Sequence, residues 1–353
     1  MRFRGFLLLA LVTACASTDS AIPEQWLNVG RTLQSAPLGG LENPPYVEQA
    51  GVRVEKTPAG ERLVREKKAL TPDFPAIDSF SVSAERGEVV FSAKRKDSFD
   101  IGLVSTDGSP IHWVPEDPAD EVAVQWAPRG NKISFVVRGR TGDLVRTVHV
   151  PTSAALTVDF PYATVRSLTW EPAAERFAVT YDSVDASRRV ETLRYGGEER
   201  RVTTPPAVRL DVAVDALPGA WLLRPSAMRY GEKLPLVVWL TPRRNEWNDA
   251  RAALIQRARL GMVVATQLDD NLQQAIADLA WADQTRIFVV NGQPITVNRQ
   301  PITVISPDPT VPTGRYRKTG NIVLVPPAVV ESFAAGFIAD QLKGSSPPNG
   351  SHR

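Results

Sequence analysis

Cysteine is nearly absent from this sequence of 353 residues, and histidine is almost as rare. Cys15 is the single cysteine, so no disulfide can form within the chain. The three histidines, His112, His149 and His352, are far apart and have no cysteine partners at the spacing of a zinc site. We therefore expect no bound metal and no cofactor, and chemistry that needs a histidine would have to use one of these three.

A strong net charge and long apolar runs are also missing. The 41 basic and 39 acidic residues nearly cancel, which leaves a net charge of +2. Because nucleic-acid-binding proteins usually carry a basic surplus on one face, we expect no nucleic-acid partner. The apolar stretch over residues 6–12 is too short to span a bilayer, which takes about 20 residues. The sequence therefore predicts no transmembrane segment.

The first 14 residues have the layout of an export signal. Two arginines precede the apolar stretch 6–12, and small residues lead directly to Cys15. This order resembles the bacterial lipobox, in which the cysteine is acylated and becomes the mature N-terminus. The resemblance implies a signal peptide over 1–14 and a palmitate-type membrane anchor on Cys15. Because Ala16 follows, it also implies the periplasmic face of the outer membrane. An ordinary signal peptide and a cytosolic apolar start are the alternatives.

Two segments of low complexity flank the folded part. Residues 15–45 are polar and rich in glycine and proline, which predicts a tether with weak local structure. Residues 344–353 are rich in serine, proline and glycine, which predicts a disordered tail.

A repeat of 44 residues fills the first half of the mature chain. Three clear copies cover residues 80–82 with 89–91, 124–126 with 133–135, and 168–170 with 177–179. A fainter fourth copy covers 212–214 with 221–223. Apolar and polar residues alternate on both sides of a short turn in each copy, which is typical of a half-buried β-hairpin.

The length of the repeat suits one blade of a β-propeller, which holds four strands in about 40–45 residues. Residues 126–130 resemble the Trp-Ser-Pro-Asp-Gly hairpin of TolB-like propellers. We expect a partial β-propeller over 46–220, with Trp126 and Trp170 in the cores of successive blades. A β-sandwich with a coincidental spacing is the alternative.

The second half, residues 221–343, shows a different pattern. Apolar strands are predicted at 234–240, 262–265, 286–290, 302–305 and 322–325. Amphipathic helices are predicted after the first two strands, and a last helix starts after Pro326-Pro327 and runs to about 342. This β-α-β succession predicts a small parallel α/β sheet domain. Asp269 and Asp270 are interpreted as a helix cap rather than a cation site.

Repeats followed by such a domain resemble the prolyl oligopeptidase family. The resemblance covers about residues 75–342. It is carried by Trp221-Leu-Leu-Arg-Pro225 and by Arg286-Ile-Phe-Val-Val-Asn-Gly292, which is similar to the strand before the nucleophile elbow. It implies an α/β-hydrolase-like domain, truncated in this chain. A small Rossmann-like domain unrelated to hydrolases is the alternative.

The residues that the resemblance requires for catalysis are changed. Gln293 stands at the position of the serine, and glutamine cannot serve as an acyl nucleophile. Pro242 and Arg243 replace glycines of the oxyanion loop, and proline has no N–H to donate. Asp308 matches the acid position of the family's Asp-x-x-Val-Pro. No histidine lies between His149 and the tail.

These changes lead to the hypothesis of a pseudoenzyme. We expect a non-enzymatic envelope lipoprotein that binds or scaffolds an envelope protein or peptide. A serine peptidase or esterase with an unrecognised catalytic set is the alternative. Arg243 and Arg244 are interpreted as part of a solvated loop, and an anionic partner for them is the alternative.

Overall fold

The computed structural model describes residues 19–27, 49–115, 118–195, 199–291, 296–297 and 300–343. Most of these residues lie in β-sheets, and helices are few. The described residues form two compact units. Residues 49–214 with 243–252 are called the repeat unit, and residues 19–27, 215–242 and 253–343 are called the α/β unit. Cys15, Gln293 and His352 lie outside the described residues, as do the predicted signal peptide and the predicted tail.

Four antiparallel sheets make up the repeat unit. The N-terminal sheet contains Val52–Thr57, Gly60–Arg65 and Lys68–Ala69. The first repeat sheet contains Ile77–Ser83, Glu88–Lys94, Phe99–Ser105 and His112–Trp113. The second contains Glu121–Trp126, Lys132–Val137, Gly142–His149 and Ala154–Pro161. The third contains Ala163–Trp170, Arg176–Ser183, Ala186–Arg194 and Arg200–Thr204.

The three clear hairpins of the sequence repeat are confirmed, and they share one register. Equivalent cross-strand pairs, displaced by 44 residues from one sheet to the next, are Val82–Val89, Trp126–Ile133 and Trp170–Phe177. Side chains alternate between the two faces of a strand, so a shared register turns equivalent residues toward equivalent faces. Trp126 and Trp170 are 5% and 7% exposed, which confirms that both lie in the core.

Neighbouring sheets of the repeat unit share apolar cores in chain order. Val52 and Leu63 of the N-terminal sheet pack in one cluster with Phe91 of the first repeat sheet. Ile101 of the first repeat sheet packs in the next cluster with Phe135 of the second. A third cluster joins the second and third repeat sheets. Each sheet therefore has its apolar faces covered by its neighbours in sequence.

The cross-strand pairs in the middle of the three repeat sheets differ in polarity. At equivalent positions stand the pairs Val90–Leu103, Ser134–Thr147 and Ala178–Thr192. The first pair packs in the apolar cluster with the second sheet, whereas the hydroxyls of the second pair share a hydrogen bond of 2.7 Å.

The faint fourth copy of the sequence repeat does not form a fourth repeat sheet. Its residues lie in the strands Val212–Leu217 and Ala220–Pro225, at one edge of the sheet of the α/β unit. Ala220–Pro225 pairs antiparallel with Gly261–Ala265. The prediction that both segments are strands is confirmed, but the prediction that they form another copy of the repeat is wrong.

The α/β unit is built on a nine-stranded mixed sheet. In spatial order its strands are Asp19–Ala21, Arg315–Thr319, Ile322–Val325, Thr303–Pro307, Ala282–Val290, Leu234–Leu240, Gly261–Ala265, Ala220–Pro225 and Val212–Leu217. The five central strands, from Ile322–Val325 to Gly261–Ala265, are parallel. Parallel pairing of these strands is what the β-α-β succession predicts.

Four α-helices are present in the described part of the chain. They are Glu24–Leu27, Asp249–Arg257, Asp270–Ala277 and Val330–Lys343, with a 3₁₀ turn at Pro327–Val329; a separate two-stranded hairpin joins Thr296–Val297 to Gln300–Pro301. Asp269 accepts a hydrogen bond of 2.9 Å from the backbone N–H of Leu272, which confirms its interpretation as a cap. No helix in the described part of the chain has the length and apolarity needed to cross a membrane.

The tether predicted over 15–45 is wrong for residues 19–27. Asp19–Ala21 is an edge strand that pairs antiparallel with residues 315–317, and Glu24–Leu27 packs against the helix Val330–Lys343. The Arg317 guanidinium donates to the Asp19 carboxylate at 2.7 Å. Composition did not indicate this strand, because a three-residue edge strand depends on its distant partner for its hydrogen bonds.

Candidate functional site

The carboxyl ends of the parallel strands bring the predicted site positions to one edge of the α/β sheet. Leu234–Leu240 ends just before Thr241 and Pro242, and Thr303–Pro307 ends just before Asp308. Ala282–Val290 runs between them and ends just before Asn291. Ligands of open α/β sheets bind at this edge, so it is the expected position of a binding or catalytic site in the α/β unit.

Asn291 ties the three strands together and was missed from the sequence. Its backbone has φ +61°, a left-handed conformation that asparagine adopts more readily than most residues. Its backbone N–H donates to the Ile305 carbonyl at 2.8 Å, and its side-chain amide donates to the Leu240 carbonyl at 3.0 Å. The Asn-Gly dipeptide at 291–292 is a turn signal that could have identified it. The residue after it, and Gln293, fall outside the described residues, so the placement of Gln293 at this strand end stays a prediction.

Asp308 uses its carboxylate to hold its own turn. Oδ1 accepts hydrogen bonds from the backbone N–H and the hydroxyl of Thr310, at 2.8 and 2.7 Å. These two bonds hold the pKa of Asp308 below its ordinary value. The backbone N–H of Asp308 donates to the Val325 carbonyl at 2.8 Å, which fixes the turn on the neighbouring strand. The predicted acid position therefore lies at the expected edge, with one oxygen engaged in a local Asx turn.

The two described histidines belong to the repeat unit. His112 is exposed, in the short outer strand of the first repeat sheet. His149 ends a strand of the second repeat sheet, and its Nδ1 lies 2.8 Å from the Thr152 hydroxyl. Among the described ranges, no three histidine, cysteine or carboxylate residues are placed to hold a metal ion.

The loop after Leu240 is rich in arginine contacts, all of them within the repeat unit. Pro242 is exposed, and the side chain of Arg243 is 69% exposed and lies 3.3 Å from Glu246. The solvated-loop interpretation therefore suits Arg243. Arg244 departs from it, because it is half-buried and its guanidinium donates to the backbone carbonyl of Arg140.

An arginine of the third repeat sheet holds this loop through Glu246. Arg166 donates to both oxygens of Asp182, at 3.1 and 3.0 Å, and to Glu246 at 2.9 Å. Burial raises the pKa of Asp182, and the positive charge of Arg166 only partly opposes that rise. Burial would lower the pKa of Arg166, but its bonds to Asp182 and Glu246 raise it overall. The loop and the sheet are thus joined by a charge cluster that water reaches poorly.

Another buried polar network lies in the third repeat sheet. The Tyr181 hydroxyl donates to Glu191, and Arg200 donates to the other oxygen of the same carboxylate. Burial raises the pKa of Tyr181, and its bond to Glu191 raises it further. The Arg200 guanidinium lies 4.5 Å from the centre of the Phe160 ring in the second repeat sheet. The network therefore crosses from one sheet to the next.

The two units differ in whether they bury polar and charged side chains. Among the described residues, every polar or charged side chain that is buried lies in the repeat unit, from Thr71 to Glu191 and at Arg251. The buried side chains described in the α/β unit are apolar apart from the indole N–H of tryptophan, and Val238, Val263 and Val289 are examples. Groups poised for catalysis are usually desolvated polar groups held by partners. The described part of the α/β unit has no buried group of that kind.

Similar folds are found among solved peptidase structures. An acylaminoacyl peptidase in complex with a chloromethyl ketone matches 74% of this chain and 51% of its own, with a TM-score of 0.52 and 9% identity. Prolyl oligopeptidase B from Galerina marginata matches 69% of this chain and 42% of its own, with a TM-score of 0.52 and 9% identity. The likeness is one of fold. This chain spans about half the length of these peptidases.

One further solved structure resembles a smaller part of the chain. A putative TolB from Agrobacterium tumefaciens matches 49% of this chain and 69% of its own, with 13% identity, but its TM-score of 0.38 is too low to carry an argument. No protein-family model and no curated protein sequence matches the chain.

Proposed function

We propose that this chain is a lipid-anchored protein of the bacterial cell envelope that binds a partner and catalyses no reaction. In this proposal the repeat sheets are blades of a partial propeller, and the α/β unit is a shortened hydrolase-like domain without a catalytic set. The partner is an envelope protein or peptide. The proposal brings together the fold likeness to peptidases and the changed residues at the catalytic positions.

The observation that carries the proposal is the apolar interior of the α/β unit. A serine hydrolase needs a nucleophile, a base and an orienting acid held within hydrogen-bond reach of one another. Among the described residues, the buried side chains of this unit are apolar apart from the indole N–H of tryptophan, and none is a carboxylate, a hydroxyl or an imidazole. Asp308 is the one matched triad position, and it holds Thr310 instead of orienting a base.

The partial propeller is supported by how the repeats stack. Three four-stranded antiparallel sheets follow one another with equivalent hairpin registers, and each shares an apolar core with the next.

An acyl chain on Cys15 would hold the α/β unit close to the membrane. Only three residues separate Cys15 from the edge strand that begins at Asp19, and the four steps from Cys15 to Asp19 span about 14 Å when fully extended. Replacing Cys15 by serine should therefore release the protein from the membrane fraction or leave its precursor uncleaved. A Cys15→Ser protein that fractionates and migrates like the wild type would end the lipoprotein proposal.

The absence of catalysis is tested by trying to restore it. We expect neither the wild type nor Gln293→Ser to hydrolyse p-nitrophenyl acetate above the buffer rate, because a serine hydroxyl without a base is a weak nucleophile. Turnover by the wild type would favour the alternative of a serine esterase or peptidase. Turnover by Gln293→Ser alone would show that a base and an oxyanion hole are still in place.

A further inference from the structure

An exposed tyrosine stands at the amino ends of the parallel strands of the α/β unit, an edge of the sheet that is called the amino edge. Tyr230 is fully exposed, and among the described residues it is the one aromatic side chain that is exposed. It lies in the loop between the strands Ala220–Pro225 and Leu234–Leu240. Because Leu234–Leu240 begins at the amino edge, Tyr230 lies opposite to the carboxyl edge, where Asp308 stands.

The turn holds Tyr230 in its exposed position. The backbone N–H of Glu232 donates to the Arg229 carbonyl at 3.1 Å, and Gly231, at the third position of the turn, has φ +74°. A turn of this kind needs a residue that tolerates the left-handed region, as glycine does. The Arg259 guanidinium donates to both oxygens of Glu232, at 2.6 and 2.8 Å. The tyrosine is therefore presented on a braced turn.

Basic side chains outnumber acidic ones around this turn. Lys233 lies in the same loop, and its Nζ donates to the Ala280 carbonyl. Arg257 ends a helix at the amino edge, is exposed and has no partner among the described residues. Around the turn the basic residues are Arg229, Lys233, Arg257 and Arg259, and the acidic ones are Glu232 and Asp278. Three other pairs at this edge cancel in charge, namely Arg224 with Asp215, Arg286 with Asp283 and Lys343 with Asp340.

The chain that leads from Cys15 enters the sheet from the side of the amino edge. The strand Asp19–Ala21 begins toward the end of its partner strand Arg315–Thr319 that leads into the hairpin turn at 320–321. That turn lies at the amino edge, and the exposed Lys318 stands beside it. An acyl chain on Cys15 would therefore be tethered within about 14 Å of the first residue of this strand.

The carboxyl edge has the opposite charge. The acidic side chains of the α/β unit at that edge are Asp269, Asp270, Asp308 and Glu331, and the basic one is Arg315. A protein whose charges are separated in this way is oriented by a charged surface, because one edge is attracted and the other repelled. An anionic surface would attract the amino edge.

We propose that the amino edge of the α/β sheet binds the surface of an anionic phospholipid membrane, with Tyr230 in the headgroup layer. Tyrosine is enriched at that depth because its ring is apolar and its hydroxyl is polar. Each lysine or arginine near an anionic surface strengthens binding by about fivefold. The inference rests on the proposed lipid anchor, which brings this edge to the membrane. It turns the carboxyl edge, with Asp308, toward the aqueous side.

A dye at position 230 tests the contact directly. Cys15→Ser leaves the chain without a cysteine, so Tyr230→Cys in that background carries a single thiol for an environment-sensitive dye such as NBD. We expect its emission to shift to the blue on phosphatidylglycerol vesicles in buffer of low ionic strength, and not on phosphatidylcholine vesicles. Thr313→Cys, at an exposed turn of the carboxyl edge, is the matched control and should not respond. No shift at position 230, or equal shifts at both positions, would overturn the proposal.

Charge removal tests the electrostatic part. Arg257→Gln and Lys318→Gln should each weaken cosedimentation of the Cys15→Ser chain with phosphatidylglycerol vesicles by about fivefold. Arg315→Gln removes the same charge at the carboxyl edge and should bind as before. Residues 1–14 are unchanged in all of these chains, so their own contribution to binding cancels. Equal losses in the Arg257 and Arg315 variants would count against the amino edge as the binding surface.

The surface and the lipid anchor can fail separately. The vesicle tests use a chain that cannot be acylated, so they decide on the amino edge whatever the fractionation of cells shows about Cys15. The edge alone should bind reversibly and should be released by about 0.5 M salt, because salt screens its charges. Release of Cys15→Ser from the membrane fraction therefore remains the test of the anchor, and vesicle binding that resists salt would contradict the proposed surface.

Discussion

The repeat unit and the α/β unit bury different kinds of side chain. The repeat unit encloses carboxylates paired with arginines, such as Asp143 with Arg138 and Asp182 with Arg166. The α/β unit, in its described residues, encloses aliphatic and aromatic side chains, Trp239 among them. Apolar burial is insensitive to pH, whereas a desolvated ion pair depends on the charge of both partners. The two units should therefore respond alike to truncation of a buried aromatic side chain, but differently to charge removal and to acid.

Truncating a buried tryptophan should destabilise either unit by a similar and large amount. Trp126→Ala in the repeat unit and Trp239→Ala in the α/β unit should each cost about 3–5 kcal/mol, because a large aromatic leaves a cavity that closes only partly. Hydrogen exchange read by mass spectrometry reports each unit separately. The matched variants Trp126→Phe and Trp239→Phe should lose much less, because a ring still fills the space. An alanine variant without loss would show that its tryptophan is not core.

Removing an arginine charge should destabilise the repeat unit more when its ion pair is buried than when the pair is exposed. Arg166→Gln should destabilise the repeat unit by about 3 kcal/mol, because it leaves Asp182 desolvated and unpaired. Arg176→Gln, which breaks the exposed pair with Glu199, should change stability by less than about 1 kcal/mol. Urea unfolding of both variants measures the difference. Equal effects would mean that burial does not set the strength of these pairs.

Acid should act on the two units in opposite directions. Burial raises the pKa of Asp143 and Asp182 above the ordinary value of 3.8. The folded repeat unit therefore binds these protons at a higher pH than the unfolded chain does. Through these two groups it gains stability relative to the unfolded chain as pH falls from the raised pKa toward 3.8. Hydrogen bonds from Arg259 lower the pKa of Glu232 from 4.5 to about 2. Hydrogen bonds from Thr310 lower the pKa of Asp308 as well. The α/β unit should therefore lose stability as pH falls from about 4.5 toward 2.

Hydrogen exchange at pH 7, 4.5 and 3 would measure this contrast. After correction for the intrinsic exchange rate at each pH, we expect the protection of the α/β unit to fall at the lowest pH before that of the repeat unit does. Glu232→Gln removes one of the groups that lose their charge and should reduce the acid sensitivity of the α/β unit. Acid opening of the repeat unit first would contradict the contrast between the two interiors.

Features with a local period could be predicted from the sequence. The hairpins at 80–91, 124–135 and 168–179 follow from alternation at a fixed spacing, and the central parallel strands follow from apolar runs separated by helices. The place of Asp308 at a strand end follows from the same runs. These patterns depend on neighbours in sequence, so composition and spacing are sufficient to find them.

Features that depend on distant partners could not be predicted. The edge strand Asp19–Ala21 is defined by residues almost 300 positions away, and Arg166 meets Glu246 across 80 positions. The faint fourth copy kept the alternation of a strand but joined a different sheet, which only the partner strand reveals. Asn291 acts through two bonds to neighbouring strands, so its role also depends on the sheet order.

Covalent labelling with a fluorophosphonate tests most directly the claim that the α/β unit does no hydrolase chemistry. The probe reacts with serines activated by a base, and intact-mass measurement of the full-length chain counts the adducts. We expect the unmodified mass, with a known serine hydrolase labelled under the same conditions. One adduct per chain would contradict the account, and its position, read by peptide mapping, would identify a catalytic serine.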